Sequence, residues 1–350
     1  MIRGAPKVAE GLANPHNNFG LLRLVMAIAV VVSHAFSVTD GRVEQEPWFH
    51  TSGFTLGEHA VNGFFAISGF LVTMSFVRRG WRDYVLARLL RIAPGLIAAT
   101  LVVALVLGAA MSSLDLGGYF RDARLWRFIE GTLVSFKSAA ALPGVFEHNP
   151  LQFPMGTVWT LKYETLCYIG VLVAGLAGLL AKPRLMLAAA AALTLAVVLR
   201  EVVVPHGSKG TETALRLPLI FLVGGLCYLY REKVPLSLPL LALAVLALVP
   251  LSFTPLYKAA LFLVTAWGVL VLALAPALTR RSVEPPADLS YGVYLYGWPA
   301  QQALHALFPG LAAVALLWPS LLATLLVAAL SWFLIEKPAL GLKRRLLRAR

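Results

Sequence analysis

Apolar residues recur along the whole chain in blocks of about 20, separated by short polar stretches, and a block of that length matches the hydrocarbon thickness a helix must cross. Ten blocks are predicted as spanning helices: 19–38, 60–78, 92–112, 159–180, 184–201, 215–231, 235–252, 256–276, 288–307 and 311–335. The fifth and seventh are short for that purpose. The pattern predicts an all-α, polytopic membrane bundle of about ten transmembrane helices. Residues 1–350 read as one domain, without a linker, a low-complexity segment or an appended soluble domain. The first block is too long for a cleavable leader and is followed by no small-residue cleavage site, so it reads as an uncleaved first span.

Composition agrees with this pattern. Of the 350 residues, 59% are hydrophobic and only 13% charged, with a mean hydropathy of +0.77; a soluble domain is nearer a quarter charged. The net charge of +13 resides in short loops between apolar blocks and implies topology, not a nucleic-acid partner. Residues 1–18, 78–91, 181–184, 231–233 and 279–281, with the tail from Glu336, hold 19 of the 30 Lys and Arg. With ten spans these segments share one side, which places both termini in the cytoplasm. The loop 113–158, with Arg121, Arg124, Arg127 and Lys137, lies on the other side, but long loops weigh little in that rule. Cys167 and Cys227 both fall inside apolar blocks and suggest neither a disulfide framework nor a metal site.

Two ionisable residues stand inside the first block, in RLVMAIAVVVSH. Arg23 and His34 are eleven residues apart, which is three helical turns plus about 20°, so both lie on one face about 16 Å apart along the axis. Charged groups in a span face a bundle interior or a wet cavity; the alternative is that each snorkels to its own interface. The second block, NGFFAISGFLVTMSF, carries Asn62 at its outer end and the small pair Ser68–Gly69 at its middle, which permits close helix approach. In YVLARLLRIAP, Arg88 and Arg91 are neighbours on one helix face, suited to a phosphorylated ligand or to plain anchoring. The fourth block opens WTLKYETLCY, which sets Glu164 at about the depth of His34. A carboxylate at that depth would orient the imidazole and favour its acting as a base; pairing of Glu164 with Lys162 or with backbone is the structural alternative. Trp159 and Trp298 are candidates to line a sugar site, and the simpler reading of both is the interfacial aromatic.

With these motifs in order (Arg23-x10-His34, FFAISGFL at 64–71, RLLRIAP at 88–94, WTLKYE at 159–164 and LSYGVYLYGWP at 289–299), the chain resembles membrane acyltransferase family 3, the bacterial O-acyltransferases of surface polysaccharides. The resemblance implies an enzyme of the inner (plasma) membrane. That enzyme moves an acyl group, by default acetyl, from cytoplasmic acyl-CoA to a hydroxyl of a surface or exported glycan or a lipid-linked sugar. It implies His34 as the essential histidine with Arg23 as its partner, and Arg88 and Arg91, with Arg23, toward the phosphates of acyl-CoA. Apart from the resemblance, Glu164 is read from its depth as a further catalytic group, and the polar positions of the motif spans are the candidate oxyanion donors, Ser68 toward acyl-CoA and Asn62, Tyr291 and Tyr294 toward the acceptor. General-base catalysis by His34 and a covalent acyl-histidine are both open. The family often has a histidine where this chain has Gly297, so no site role passes to that position, and no pattern ties His305 to it. A transporter of a lipid-linked or polar sugar is the alternative reading, since it too needs intramembrane charge.

Overall fold

The computed structural model describes residues 4–204, 207–281 and 283–348, with side chains as far as Lys343. Arg3 and Arg350 of the basic tails lie outside the described residues, as do the side chains of Arg344, Arg345 and Arg348. The principal helices are α1 (Phe19–Asp40), α2 (Leu56–Leu101), α3 (Ala123–Ser135), α4 (Trp159–Leu176), α5 (Pro183–Val203), α6 (Lys209–Leu229), α7 (Leu238–Leu251), α8 (Tyr257–Leu274), α9 (Ser290–Leu307) and α10 (Ala313–Ser331). The all-helical prediction holds, and a helix covers each predicted block.

Six stretches among the described residues are long and apolar enough to cross a membrane: Phe19–Asp40, Leu56–Met111, Pro183–Val203, Lys209–Leu229, Tyr257–Leu274 and Ala313–Lys343. The chain is a multi-pass membrane protein. Of the other four, α3 lies in the loop 113–158 and matches no predicted block, and the remaining three fall short for local reasons. α7 has 14 residues, about 21 Å of helix. α4 and α9 are diluted by polar side chains, among them Lys162 and Glu164 on α4 and Gln301, Gln302 and His305 on α9. The two helices diluted in this way, α4 and α9, each carry a sequence motif.

The second and third predicted blocks form one continuous run, Leu56–Met111, of 56 residues. A straight helix of that length would reach about 84 Å, far more than the roughly 30 Å of hydrocarbon. Gly80 divides it, with φ 78° and ψ 174°. A Cβ there would meet nothing within 4 Å, so the positive φ and not crowding requires glycine. Arg78, Arg79 and Arg82 surround this break.

The chain divides into two compact units. The first holds the N-terminal segment up to Leu22, residues Val61–Val85 and residues Tyr163–Pro285. Here α2 and α6 touch through reciprocal glycines. A Cβ on Gly69 would lie 1.9 Å from the Phe221 carbonyl oxygen, and one on Gly224 would lie 2.2 Å from that of Ala66. The close approach predicted from Ser68–Gly69 is thus made against α6. The same unit ties α5, α6 and α8 with ion pairs. Lys258 Nζ sits 2.8 Å from Glu212 and 3.0 Å from Glu201. Arg216 and Arg200 approach Glu212 at 3.8 and 3.9 Å, and Arg200 also pairs with Glu201. Arg216 is fully buried, and a charge there persists only with such company.

The second unit holds Arg23–Ala60, Leu86–Lys162 and the chain from Pro286 onward. Most of α9 is buried in it. After Leu101 the chain makes a π-helical turn, Val102–Leu107, and the carbonyl of Ala104 accepts from the Tyr119 hydroxyl at 2.6 Å. Gly108 makes room for that ring, since a Cβ there would stand 2.1 Å from the hydroxyl oxygen. Burial pushes the Tyr119 phenol up to about 12.

Candidate active site

α1 is uninterrupted from Phe19 to Asp40, so Arg23 and His34 stand on one rigid element as their spacing predicts. His34 is half-buried. Its imidazole stands perpendicular to the Trp298 indole, with ring centroids 4.9 Å apart and planes at 86°. Its Nδ1 is buried and has no hydrogen-bond partner. Trp298 is itself fixed. It stacks on Phe153 at 5.2 Å with planes 6° apart, and its Nε1 donates to the Phe153 carbonyl at 2.7 Å. Gly156 lets the indole in, because a Cβ there would come within 2.5 Å of it. Trp298 is only 4% exposed. It is a buried clasp for His34 and not the interfacial aromatic that its place in the sequence suggests.

The arginines toward the other end of α1 gather on a residue that the sequence reading missed. Arg23 Nη2 lies 2.9 Å and Arg91 Nη2 3.0 Å from the same oxygen, Asp288 Oδ2. Ser290 Oγ donates to the other oxygen, Oδ1, at 2.7 Å. Two guanidinium groups thus share one carboxylate, and Arg88 stands one turn before Arg91, half-buried. Tyr291 supports this corner. Its ring lies beneath the Arg91 guanidinium at 5.7 Å, and its hydroxyl donates to the Ile92 carbonyl at 3.0 Å. Asp288 directly precedes the LSYGVYLYGWP motif, and an acid at that position, shortly after the basic pair Arg280–Arg281, was the available signal.

Tyr294 is buried one turn into α9. Its hydroxyl donates to the Thr157 carbonyl at 2.8 Å and meets Thr160 Oγ1, so it fastens the start of α4. In the first unit, Glu164 accepts from Ser68 Oγ at 3.1 Å and from the Tyr168 hydroxyl. Tyr168 also takes the Tyr84 hydroxyl on its carbonyl at 2.8 Å. Ser68 and Glu164, singled out separately from sequence, are therefore partners, and Tyr168 joins them from one turn along α4. Asn62 is fully buried, and neither atom of its amide has a partner.

Residues 16–336 match the family described as "Acyltransferase domain". The chain belongs to this acyltransferase family. It is similar to the O-acetyl transferase of Shigella phage Sf6, at 26% identity over 336 residues, covering 92% of this chain and 95% of the relative. It is also similar to Nodulation protein 10 of Rhizobium leguminosarum bv. viciae, at 29% identity over 377 residues, covering 97% and 99%. No solved structure matches.

The departure of this acyltransferase at Gly297 has a steric reason. A Cβ at Gly297 would stand 2.6 Å from Val31 Cγ2, so α1 occupies the space that a side chain would need. One turn later on α9, Gln301 Nε2 donates to the Val31 carbonyl at 2.8 Å. Glycine and glutamine together let α1 and α9 approach closely at the turn of α1 that precedes His34.

Proposed function

We propose that this acyltransferase moves an acetyl group from cytoplasmic acyl-CoA to a hydroxyl of a surface or exported glycan. The observation that carries the reading is His34, an imidazole with a bare buried nitrogen, on the helix that bears Arg23. The family membership and the name of the phage relative support the reaction class. In the topology that goes with this reading, ten spans cross the inner membrane and both termini are cytoplasmic.

The donor phosphates dock against Arg23, Arg88 and Arg91, whose guanidinium groups offer charge and paired donors. Asp288 holds two of them in place before the phosphates arrive. The flexible pantetheine arm runs along the α1 face toward His34, about 16 Å away. The His34 imidazole takes the proton of the acceptor hydroxyl as the oxygen attacks the thioester carbonyl carbon. The carbon–sulfur bond then breaks, the acyl group passes to oxygen, and the leaving thiolate takes the proton from the imidazolium. Glu164, set by Ser68 and Tyr168 in the first unit, is a further acid–base candidate. Tyr294 is the acceptor contact of the second unit, Tyr291 braces the arginine corner, and Asn62, with its bare amide, is a polar group of the first unit.

The test is glycan mass spectrometry on cells lacking the gene and complemented with wild type or His34→Ala. An acetyl-sized mass lost on deletion, restored by wild type and absent with His34→Ala is the expected result. Full restoration by His34→Ala would overturn the reading. Unmodified glycan in every strain, with less of it at the surface after deletion, would move a transporter ahead.

A further inference from the structure

We propose that Gln301 and Thr324 form a hydroxyl-binding subsite beside His34 that takes a neutral, polyhydroxylated acceptor. The inference rests on the acyl-transfer reading above and adds residues that the sequence motifs do not mark.

Gln301 is 0% exposed. Its Nε2 donates to the Val31 carbonyl at 2.8 Å. A carbonyl can only accept, so the amide has one sensible orientation, with Oε1 turned away from Val31. That Oε1 is buried and has no donor. Thr324 on α10 is also 0% exposed, and its Oγ1 is bare. Ser320, one turn earlier, shows the usual arrangement in a spanning helix, its hydroxyl donating back to the Leu316 carbonyl at 2.6 Å. Thr324 does not make that bond.

Both residues adjoin Gly297. A Cβ at Gly297 would meet Val31 Cγ2 at 2.6 Å and Thr324 Cγ2 at 3.8 Å, and Gln301 follows one turn along α9. His34 follows Val31 by three residues on α1 and rests on Trp298, three residues before Gln301. The bare atoms Gln301 Oε1, Thr324 Oγ1 and His34 Nδ1 thus come from three helices around one stretch of α9. His305, one turn past Gln301, leaves Nδ1 bare as well.

Polar atoms buried in this way want partners. Gln301 Oε1 accepts only, and a threonine hydroxyl accepts or donates. No cation is among these groups. A phosphate or carboxylate finds no counter-charge here, whereas a hydroxyl donates to Oε1 and exchanges bonds with Oγ1. The chemistry therefore selects a neutral polyol, and it is distinct from the arginine corner at Asp288.

The test uses the full-length protein in nanodiscs with acetyl-CoA and, as acceptor, glycan extracted from cells lacking the gene. Thiol release is followed as the extract is diluted. Thr324→Val keeps the shape and removes the hydroxyl. It should raise the half-saturating extract concentration about 3–10-fold, the worth of one neutral hydrogen bond, and leave the acetyl-CoA KM and the Tm unchanged. Gln301→Leu should raise half-saturation at least as much. Gln301→Glu keeps an acceptor oxygen but loses the donor to Val31, so it should hurt kcat more than half-saturation. Unchanged half-saturation in Thr324→Val and Gln301→Leu, with only kcat or Tm reduced, would make both residues structural and overturn the subsite. If Gln301→Leu does not fold, Thr324→Val decides. Wild type that releases no thiol with the extract would overturn acyl transfer and the subsite with it, whereas active wild type with an unaffected Thr324→Val sinks the subsite alone.

Discussion

The imidazole of His34 stands perpendicular to the indole of Trp298, centroids 4.9 Å apart, and the indole is pinned by Phe153 from the loop before α4. His34 is therefore oriented by an aromatic that belongs to another motif. Trp298→Ala should cost about 3–5 kcal/mol of stability as a large core truncation and abolish transfer. Trp298→Phe keeps a stacking ring and loses the Nε1 bond, so about 1 kcal/mol is expected, with most activity retained. Thermal unfolding in detergent alongside thiol release checks both, and an active Trp298→Ala protein would contradict the clasp.

Asp288 neutralises part of the charge on Arg23 and Arg91. The three side chains are 27%, 18% and 20% exposed, so the loss on Asp288→Asn is discounted to about 1–3 kcal/mol from the value for a fully buried pair. The two guanidinium groups then lose their shared carboxylate, and acetyl-CoA should compensate that loss. The rise in Tm on adding acetyl-CoA should be larger in Asp288→Asn than in wild type. An equal or smaller rise would remove these arginines from the donor site.

Gly69→Ala drives a methyl against the Phe221 carbonyl, 1.9 Å from where the Cβ would stand. The two helices must separate, at about 1–3 kcal/mol or more. Gly170, in the interior of α4, has nothing within 4 Å of its Cβ position. Gly170→Ala should therefore be neutral or stabilise by up to about 1 kcal/mol through helix propensity. Yield and Tm of the two variants side by side decide the point.

Glu212 is the centre of the ion-pair network of the first unit. Glu212→Ala leaves Lys258, Arg216 and Arg200 with less negative charge than they have now, and a loss of about 3–5 kcal/mol is expected for breaking a buried pair from one side. High salt should not rescue it, since buried charges are poorly screened. Chemical denaturation at two salt concentrations measures this.

Tyr119 gives a prediction for alkaline pH. Its folded phenol is raised to about 12 from the ordinary 10.0, so the folded state holds the proton more tightly than the unfolded one. Its contribution is fully present below pH 10 and is lost as pH rises toward 12. Tyr119→Phe starts less stable, having lost the bond to Ala104, but should lose less than wild type between pH 10 and 12. Parallel curves for the two proteins would exclude this role.

The sequence alone determined the helices, since the length of an apolar block and its local periodicity suffice to mark a span. It also determined that Arg23 and His34 share one face, which follows from 100° per residue, and it supplied the motifs that carry the family. It gave only approximate divisions where helix continues past the apolar block, as between residues 56 and 111, where one glycine dihedral separates two spans. Which polar groups meet was decided by tertiary structure. Arg23 and Asp288 are 265 residues apart in the chain, and Ser68 and Glu164 are 96 apart. Asp288, Tyr168, Trp298 and Gln301 each look ordinary in their own helix or loop. Their roles arise because buried hydrogen-bonding groups must be satisfied by whatever packing brings near, and that choice is not local to any stretch of sequence.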